Sequence, residues 1–97
     1  MRTTIKEVEQ WARDKDLLHI ENSYPQFCKV VEEVSEVGAA LNSGKVHELI
    51  DAIGDSVVTL IILAAQNGLE LEECLDAAYN EIKGRTGKTV NGTFIKD

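Results

Sequence analysis

The chain of 97 residues is short of several residue types, and each shortage excludes a class of protein. Ten Lys and Arg stand against 17 Asp and Glu, a net charge of −7, so the broad basic face that binds a nucleic-acid backbone is missing. Its two cysteines, Cys28 and Cys74, lack the C-x-x-C spacing of a zinc or redox motif. We expect both to be buried free thiols in a reducing cytoplasm.

Long apolar runs are also missing. VVTLIILAA, from Val57 to Ala65, is shorter than the ~20 residues that cross a bilayer. The charged N-terminus MRTTIKEVEQ has no apolar signal-peptide core. We therefore expect a cytoplasmic protein with no membrane and no nucleic-acid partner, whose acidity suits either a cation binder or a soluble surface.

Apolar residues make up 43% of the chain, but only five residues are aromatic. The core must therefore come from aliphatic side chains, as in packed helices or a subunit interface. A chain this short buries only about 60 to 65% of its unfolded surface, so a monomer would be marginally stable. We expect one domain over residues 1–97.

Apolar periodicity and capping signals predict four helices, over about 4–18, 23–41, 45–66 and 69–83. Capping boxes are expected at Thr4 with Glu7 and at Ser23 with Gln26. The third helix is apolar on nearly every side, so part of its cover should come from another subunit.

The last helix and the C-terminal segment complete the fold prediction. The fourth helix should bury an apolar side comprising Leu71, Cys74, Leu75, Ala78 and Ile82. Asn91-Gly92 between β-prone pairs predicts a hairpin, which should lie on the helical body or on a neighbouring subunit. The predicted fold is an all-α, four-helix antiparallel bundle-like domain with a short C-terminal β-hairpin, oligomerising through its helices.

Acidic residues cluster on two adjacent predicted helices. VEEVSEV on the second carries Glu32, Glu33 and Glu36, and Glu33 and Glu36 lie opposite its apolar sector. HELIDAIGD on the third carries three more acids on one stripe, Glu48, Asp51 and Asp55. Like charges one turn apart oppose helix formation, and a hard divalent cation such as Mg²⁺ would compensate. The alternative is a solvated surface; a di-iron site lacks its Glu-x-x-His pairs.

Three blocks, QFCKVVEEVSEV, ELIDAIGDSVVTLIILA and AAYNEIKGRTGK, resemble the MazG-type nucleotide pyrophosphohydrolases of the all-α NTP pyrophosphatase superfamily. The resemblance runs from about Gln26 to Lys96. It implies Mg²⁺-dependent hydrolysis of a nucleoside triphosphate, NTP or dNTP, to the monophosphate and pyrophosphate, with Mn²⁺ as a possible substitute. It also implies a homodimer or a homotetramer built as a dimer of dimers.

The resemblance implies metal ligands as well. The family's E-E-x-x-E motif is met by Glu32, Glu33 and Glu36, with the last two as principal ligands. The E-x-x-D motif is matched less cleanly, and the alignment favours Asp51 and Asp55, with Glu48 as an outer ligand.

Catalytic and substrate-binding roles follow from the same resemblance. Either Glu32 or Glu36 would orient or deprotonate the attacking water, and spacing alone does not decide between them. Trp11 would stack on the base, or else serve as a core or interface residue. The candidates for the phosphates and sugar are Lys29, Asn80, Lys83, Arg85 and Lys88. The alternative function is a non-catalytic helical oligomer that acts as an adaptor or regulator.

Overall fold

The computed structural model describes residues 2–97. Its elements are α1 (Arg2–Asp14), a short 3-10 turn (Ile20–Asn22), α2 (Ser23–Ser43), α3 (Val46–Gln66), α4 (Leu71–Ile82), β1 (Gly87–Val90) and β2 (Thr93–Lys96). The predicted all-α fold with a C-terminal hairpin is therefore confirmed. In the described part of the chain, no helix is both long and apolar enough to cross a membrane.

Glycines in the left-handed conformation end the two long helices. Gly44 (φ 72°) follows α2, and Gly68 (φ 73°) follows α3, because a residue without a Cβ adopts positive φ without steric cost. The N-terminal ends were predicted less well. Since α1 begins at Arg2, Thr4 lies inside the helix and the capping prediction there is wrong.

The predicted capping box at Ser23 is also wrong. Ser23 is the first residue of α2, and the Gln26 amide reaches across to α3, where Nε2 donates to the Thr59 carbonyl at 3.1 Å. A capping box does occur at α4. The Glu70 backbone N–H donates to Glu73 Oε1 at 2.7 Å, and the Glu70 side chain accepts a hydrogen bond from the Glu73 backbone N–H.

The core lies where α2 and α3 pack as an antiparallel pair and α1 crosses α3. Small buried side chains near the turn that joins the pair, Ala40 and Ala52, allow the helices to approach closely there. The buried apolar residues are Ile5, Ala12, Ala40, Ala52, Ile61 and Ile62, and the buried polar residues are Glu9, Ser56, Thr59 and Gln66.

The face that α2 turns towards α3 is its more polar side. Gln26 is partly buried there, and the Glu33 side chain is only 14% exposed. The apolar sector of the same helix points outward, where Phe27 and Val31 are each 53% exposed. Small and polar residues therefore take part in the contact with α3, and much of the apolar sector is exposed in the single chain, although Val30 and Val37 are half-buried.

The prediction that α4 buries its apolar side is wrong for the single chain. No residue of α4 is buried in the described structure, and Leu75, Tyr79 and Ile82 are 52–59% exposed. The helix makes only limited contact with α3, and the Lys6–Glu70 ion pair of 2.9 Å joins α1 to the residue before it. The prediction of buried thiols is wrong for the same reason, since Cys74 lies on this uncovered helix and Cys28 on the outer side of α2.

The hairpin forms as predicted, but it does not pack on the helices of its own chain. Asn91 (φ 51°) and Gly92 (φ 80°) make the turn, and Val90 pairs with Thr93. Both strands are exposed along their whole length. Packing on the helical body is therefore not seen in the single chain, and packing on a neighbouring subunit stays a prediction.

Candidate active site

Four carboxylates from α2 and α3 line one open cleft of about 310 Å³. This acidic cleft is formed by Glu36, Ala39, Ala40, Glu48, Asp51, Ala52 and Asp55. Its floor consists of the alanines at the helix contact, and the acids stand around them. Because both helices contribute acids, the cleft exists only when α2 and α3 are paired.

The donor set of the acidic cleft fits a hard cation. It offers carboxylate oxygens and no thiol or imidazole, which is the ligand chemistry that Mg²⁺ prefers. The acids do not converge on one point, however: among residues 2–97, no three His, Cys, Asp or Glu side chains are grouped closely enough to hold a metal ion. A cation here would need these exposed side chains to change rotamer.

A second, larger cavity of about 680 Å³ lies beside the acidic cleft. This central cavity is lined by Trp11, Leu17, Asn22, Pro25, Gln26, Lys29, Glu33, Asp55, Val58, Thr59, Ile62 and Gln66. Its volume is in the range of small-molecule sites, and its walls combine apolar groups with a few polar ones. Asp55 lines both spaces.

Lys29 is the cation at the mouth of the central cavity. Its Nζ lies 3.4 Å from Glu32 Oε2 and 3.5 Å from Glu33 Oε1. The hydrogen bond and charge of Glu32, with the charge of Glu33, raise the pKa of Lys29 above its ordinary value. The lysine is therefore charged at neutral pH and half-exposed, free to exchange its carboxylate partners for an anionic ligand.

Carboxamides supply much of the remaining polar lining. Gln66 is 6% exposed, and its Nε2 donates to the Leu17 carbonyl at 2.9 Å. Asn22 donates to the same carbonyl at 3.4 Å, and Gln26 donates to Thr59. Each amide NH₂ therefore points at a backbone oxygen.

The structure brings together most of the predicted metal ligands and some of the predicted substrate residues. Glu36, Glu48, Asp51 and Asp55 share the acidic cleft, and Glu33 lies in the adjoining cavity with Trp11 and Lys29. Among the predicted site residues, those that line neither space are Glu32, Asn80, Lys83, Arg85 and Lys88. Arg85, which follows α4, instead lies 3.5 Å from Glu81 in the last turn of that helix.

Sequence reasoning missed the polar residues of α3 that line the central cavity. Thr59 and Gln66 are seven residues apart, so they lie within about 20° of each other on the helix. They interrupt an otherwise apolar segment, and that polar stripe was a signal of an internal site. Gln26 was assigned to a helix cap, although its true partner is on α3.

Comparison with known proteins gives a family match over most of the chain. Residues 6–81 match the family described as phosphoribosyl-ATP pyrophosphohydrolase. This family lies in the superfamily to which the sequence blocks were found similar, which confirms that resemblance. The match includes α2, α3 and all residues of both cavities.

A phage protein is also similar. Over 70 residues the chain is 36% identical to an uncharacterized 18.2 kDa protein from the rep-hol intergenic region of Haemophilus phage HP1 (strain HP1c1). The aligned region covers 72% of this chain and 43% of that protein, so the chain spans less than half the length of the curated relative. No solved structure matches the chain.

Proposed function

We propose that this chain, which belongs to the phosphoribosyl-ATP pyrophosphohydrolase family, hydrolyses a nucleoside triphosphate to the monophosphate and pyrophosphate as a MazG-like, Mg²⁺-dependent enzyme. One observation carries the proposal. Asp55 lines both an acidic cleft and a cavity large enough for a nucleoside. A single ligand that passes Asp55 would place its phosphates in the cleft and its base in the cavity.

Charge decides which end of the substrate enters the acidic cleft. A triphosphate carries several negative charges and is repelled by the four carboxylates of the acidic cleft. These carboxylates would hold Mg²⁺, or Mn²⁺ as a substitute. Glu36, Glu48, Asp51 and Asp55 line the cleft, and Glu33 lies in the adjoining cavity. Bound metal would neutralise the phosphate oxygens and lower the pKa of a coordinated water.

The chain's own groups then have separate tasks. Glu36 lies in the acidic cleft, whereas Glu32 lies outside it and pairs with Lys29, so we favour Glu36 as the carboxylate that orients or deprotonates water. Lys29 would bind phosphate oxygens near the boundary between the two spaces. Water adds across the α–β phosphoanhydride, and pyrophosphate leaves with the electron pair of the broken bond.

The remaining predicted substrate residues would come from a second copy of the chain. Asn80, Lys83, Arg85 and Lys88 follow or end α4, whose apolar side is uncovered in the single chain. In a dimer in which α4 of one subunit packs on α3 of the other, the cationic segment 83–88 that follows α4 would also lie on the other subunit. We therefore propose that the partner's segment completes the phosphate site.

Surface area supports an obligate homo-oligomer. The chain exposes 7153 Å², whereas a compact protein of its mass exposes about 5,500 Å². Its radius of gyration is 15.6 Å, against about 12.5 Å for a compact domain of this length. The excess of about 1,600 Å² per chain is the area that obligate dimers cover. The exposed apolar residues of α2, α3 and α4 are the proposed interface of a dimer or dimer of dimers.

The decisive test is a product analysis with a substrate panel. The protein is incubated with Mg²⁺ and each common NTP and dNTP, with phosphoribosyl-ATP included because of the family match. Monophosphate (or its phosphoribosyl form) plus pyrophosphate supports the proposal. Orthophosphate would indicate different chemistry, and a lack of turnover on every nucleotide would favour the non-catalytic adaptor.

Matched variants then assign the roles of the acids. Glu36→Gln should abolish turnover while circular dichroism stays unchanged, and Glu32→Gln should retain most of it, since only Glu36 lines the acidic cleft. Equal losses in the two variants would contradict the assignment of Glu36 as the water-orienting group.

A further inference from the structure

An apolar groove between α1 and α3 is open to solvent in the single chain. This α1–α3 groove, of about 490 Å³, is lined by residues from 4–8 of α1 and 50–61 of α3. Ile50 and Val57 in its lining are 65% and 40% exposed. At Gly54 the lining is bare helix backbone, where a Cβ would meet nothing within 4 Å beyond its own helix in the described structure. The groove is therefore an unfilled apolar surface with room for side chains from outside the chain.

Charge is divided unevenly between this groove and the C-terminal segment. The groove and the adjoining space beside Trp11 include the carboxylates Glu7, Asp51 and Asp55, and no Lys or Arg of the described chain lines either. Residues 83–97 carry four of the ten Lys and Arg but only one of the 17 Asp and Glu. The C-terminal segment thus complements the groove in charge, whereas α4 itself is rich in acids.

The hairpin in this segment has one face that suits such a groove. Opposite residues of an antiparallel pair point to the same side, and neighbours along a strand alternate. The pairing therefore puts four side chains on one face, the docking face: Lys88, Val90, Thr93 and Ile95. The other face is partly occupied by the hairpin itself, since the Phe94 ring lies over Gly87 where a Cβ would collide with it. The docking face combines apolar side chains with one cation.

The groove and the hairpin also agree in size, and each lacks cover. A strand of four residues spans about 13 Å, and the groove extends along α3 from Ile50 to Ile61, about 16 Å at the helical rise. A two-stranded hairpin is marginally stable by itself in water, and both strands are exposed along their whole length. Contact between Val90, Ile95 and the groove buries apolar surface on both sides.

We propose that the α1–α3 groove binds the C-terminal hairpin of a second copy of the chain through the docking face. The proposal rests on the homo-oligomer of the proposed function but not on its hydrolase activity. It continues the α4 contact, because only residues 83–86 separate α4 from β1. Asp51 and Asp55 line the acidic cleft as well as the groove, so the partner's Lys88 lies beside candidate metal ligands.

The test maps what the hairpin touches in the intact chain. The two exposed native thiols are removed by Cys28→Ser and Cys74→Ser, and a benzophenone maleimide is attached to the new thiol of Thr93→Cys on the docking face. This protein is equilibrated with ¹⁵N-labelled protein that carries the same two serines, and irradiated. Peptide mass spectrometry should find the probe linked to the α1–α3 groove of the labelled chain. A link confined to the chain that carries the probe, or to other surfaces of the labelled chain, overturns the proposal.

A probe on the other face is the matched control. Thr89→Cys places the same thiol on the face of the hairpin that carries Phe94, because Thr89 and Phe94 are opposite each other. The benzophenone there should give at least fivefold less of the link to the groove. Equal yields from the two positions would overturn the assignment of the docking face.

Filling the groove should remove the link without unfolding the protein. Gly54→Leu in the labelled chain adds a side chain where the single chain has open space, and leucine is a better helix former than glycine. The link should fall at least tenfold, whereas Ala77→Leu, on exposed α4, should keep it. Lys88→Glu in the probe-bearing chain should lower the yield more than Lys96→Glu, which changes the other face. An undiminished link in Gly54→Leu, or equal effects of the two lysine variants, overturns the proposal.

Failure of this proposal can be told from failure of the proposed function. A wild-type dimer in sedimentation whose hairpin links to another surface keeps the oligomer and overturns the docking. A monomer without any interchain link overturns both. Turnover is measured separately with the substrate panel, so a link to the groove without turnover keeps the docking and refutes the hydrolase.

Discussion

The α2–α3 pair is richer in apolar residues than the α4–hairpin region, and the two also differ in what one chain completes. The pair holds the buried Ala40, Ala52 and Thr59, lines the acidic cleft and, together with Trp11 and the connection between α1 and α2, lines the central cavity. The second region has an ordered capping box and a regular hairpin, yet every residue from 73 to 97 is exposed.

The difference shows that secondary structure and burial are decided separately. Local signals suffice to form α4 and the hairpin, because capping and turn residues act over a few positions. Burial of their apolar sides requires a surface that the same chain does not provide. The helices that carry the acids pair within one chain, whereas the cover proposed for the outer region would come from a second copy.

The largest expected effect is on catalysis at the residue shared by both cavities. Asp55→Asn should lower kcat/KM by on the order of 100-fold or more, because it removes a charge that would hold the metal beside the substrate. Steady-state pyrophosphate release measures the loss. Asp14→Asn, the same change on the exposed end of α1, is the control. Equal activity of both variants would refute the placement of the site.

The next effect concerns the outer region. Tyr79→Asp places a charge on the uncovered apolar side of α4, where it would be almost neutral in a monomer but unfavourable in an interface. Analytical ultracentrifugation should show dissociation at micromolar concentration. Ala77→Asp adds the same charge to the opposite face of α4 and should leave the assembly intact. A wild-type monomer would contradict the proposed oligomer.

A smaller difference between the two regions is expected in how far an enlarged side chain changes the free energy of unfolding. Ala40→Leu forces extra volume between α2 and α3, so it should lower the free energy of unfolding by about 1 to 3 kcal/mol. Ala77→Leu, on exposed α4, should change it by less than about 0.5 kcal/mol. Urea denaturation measures both. If Ala77→Leu lowered the free energy of unfolding more than Ala40→Leu, the face of α4 that carries Ala77 would be covered too.

The acids of α3 should be mildly unfavourable for folding in the absence of metal. Asp51→Asn relieves repulsion with Glu48 and Asp55 on the same stripe, so it should stabilise the metal-free protein by a few tenths of a kcal/mol. Added Mg²⁺ should raise the Tm of the wild type and have less effect on this variant. A Tm that Mg²⁺ leaves unchanged in both proteins would count against the metal site.

The smallest effect lies in the connection between α1 and α2. A hydrogen bond of 2.6 Å from His19 Nε2 to Asp16, together with the charge of Asp16, raises the pKa of His19 above 6.5. Because the folded pKa is the higher one, the stabilisation is complete below about pH 6.5 and is lost as pH rises through the folded value. Asp16→Asn, which tolerates the positive φ of 59° there, should lower this pKa in an NMR titration. An unchanged pKa would show that Asp16 is not its cause.

Helix existence and the two acidic groups could be predicted from sequence, since periodicity, the glycines and the Asn-Gly turn are local signals. The start of α1 at Arg2 and the role of Gln26 could not. A capping box would use the Gln26 oxygen as an acceptor for the Ser23 backbone N–H, whereas packing lets Gln26 Nε2 donate to the Thr59 carbonyl on α3. The predicted burial of α4 failed because hydrophobicity shows that a face needs cover without showing which chain supplies it.

The sequence by itself determined four helices, a hairpin and acids at helical spacing on α2 and α3, because each depends on residues within a few positions of one another. Only the tertiary structure decided that Gln26 and Glu33 of α2 lie on the side towards α3 and that Asp55 lines two spaces. It also decided that the Gln66 side-chain oxygen is buried with no hydrogen-bond partner among the described residues. These features depend on distant residues, such as Leu17 and Gln66, whose meeting is determined by packing and not by local sequence.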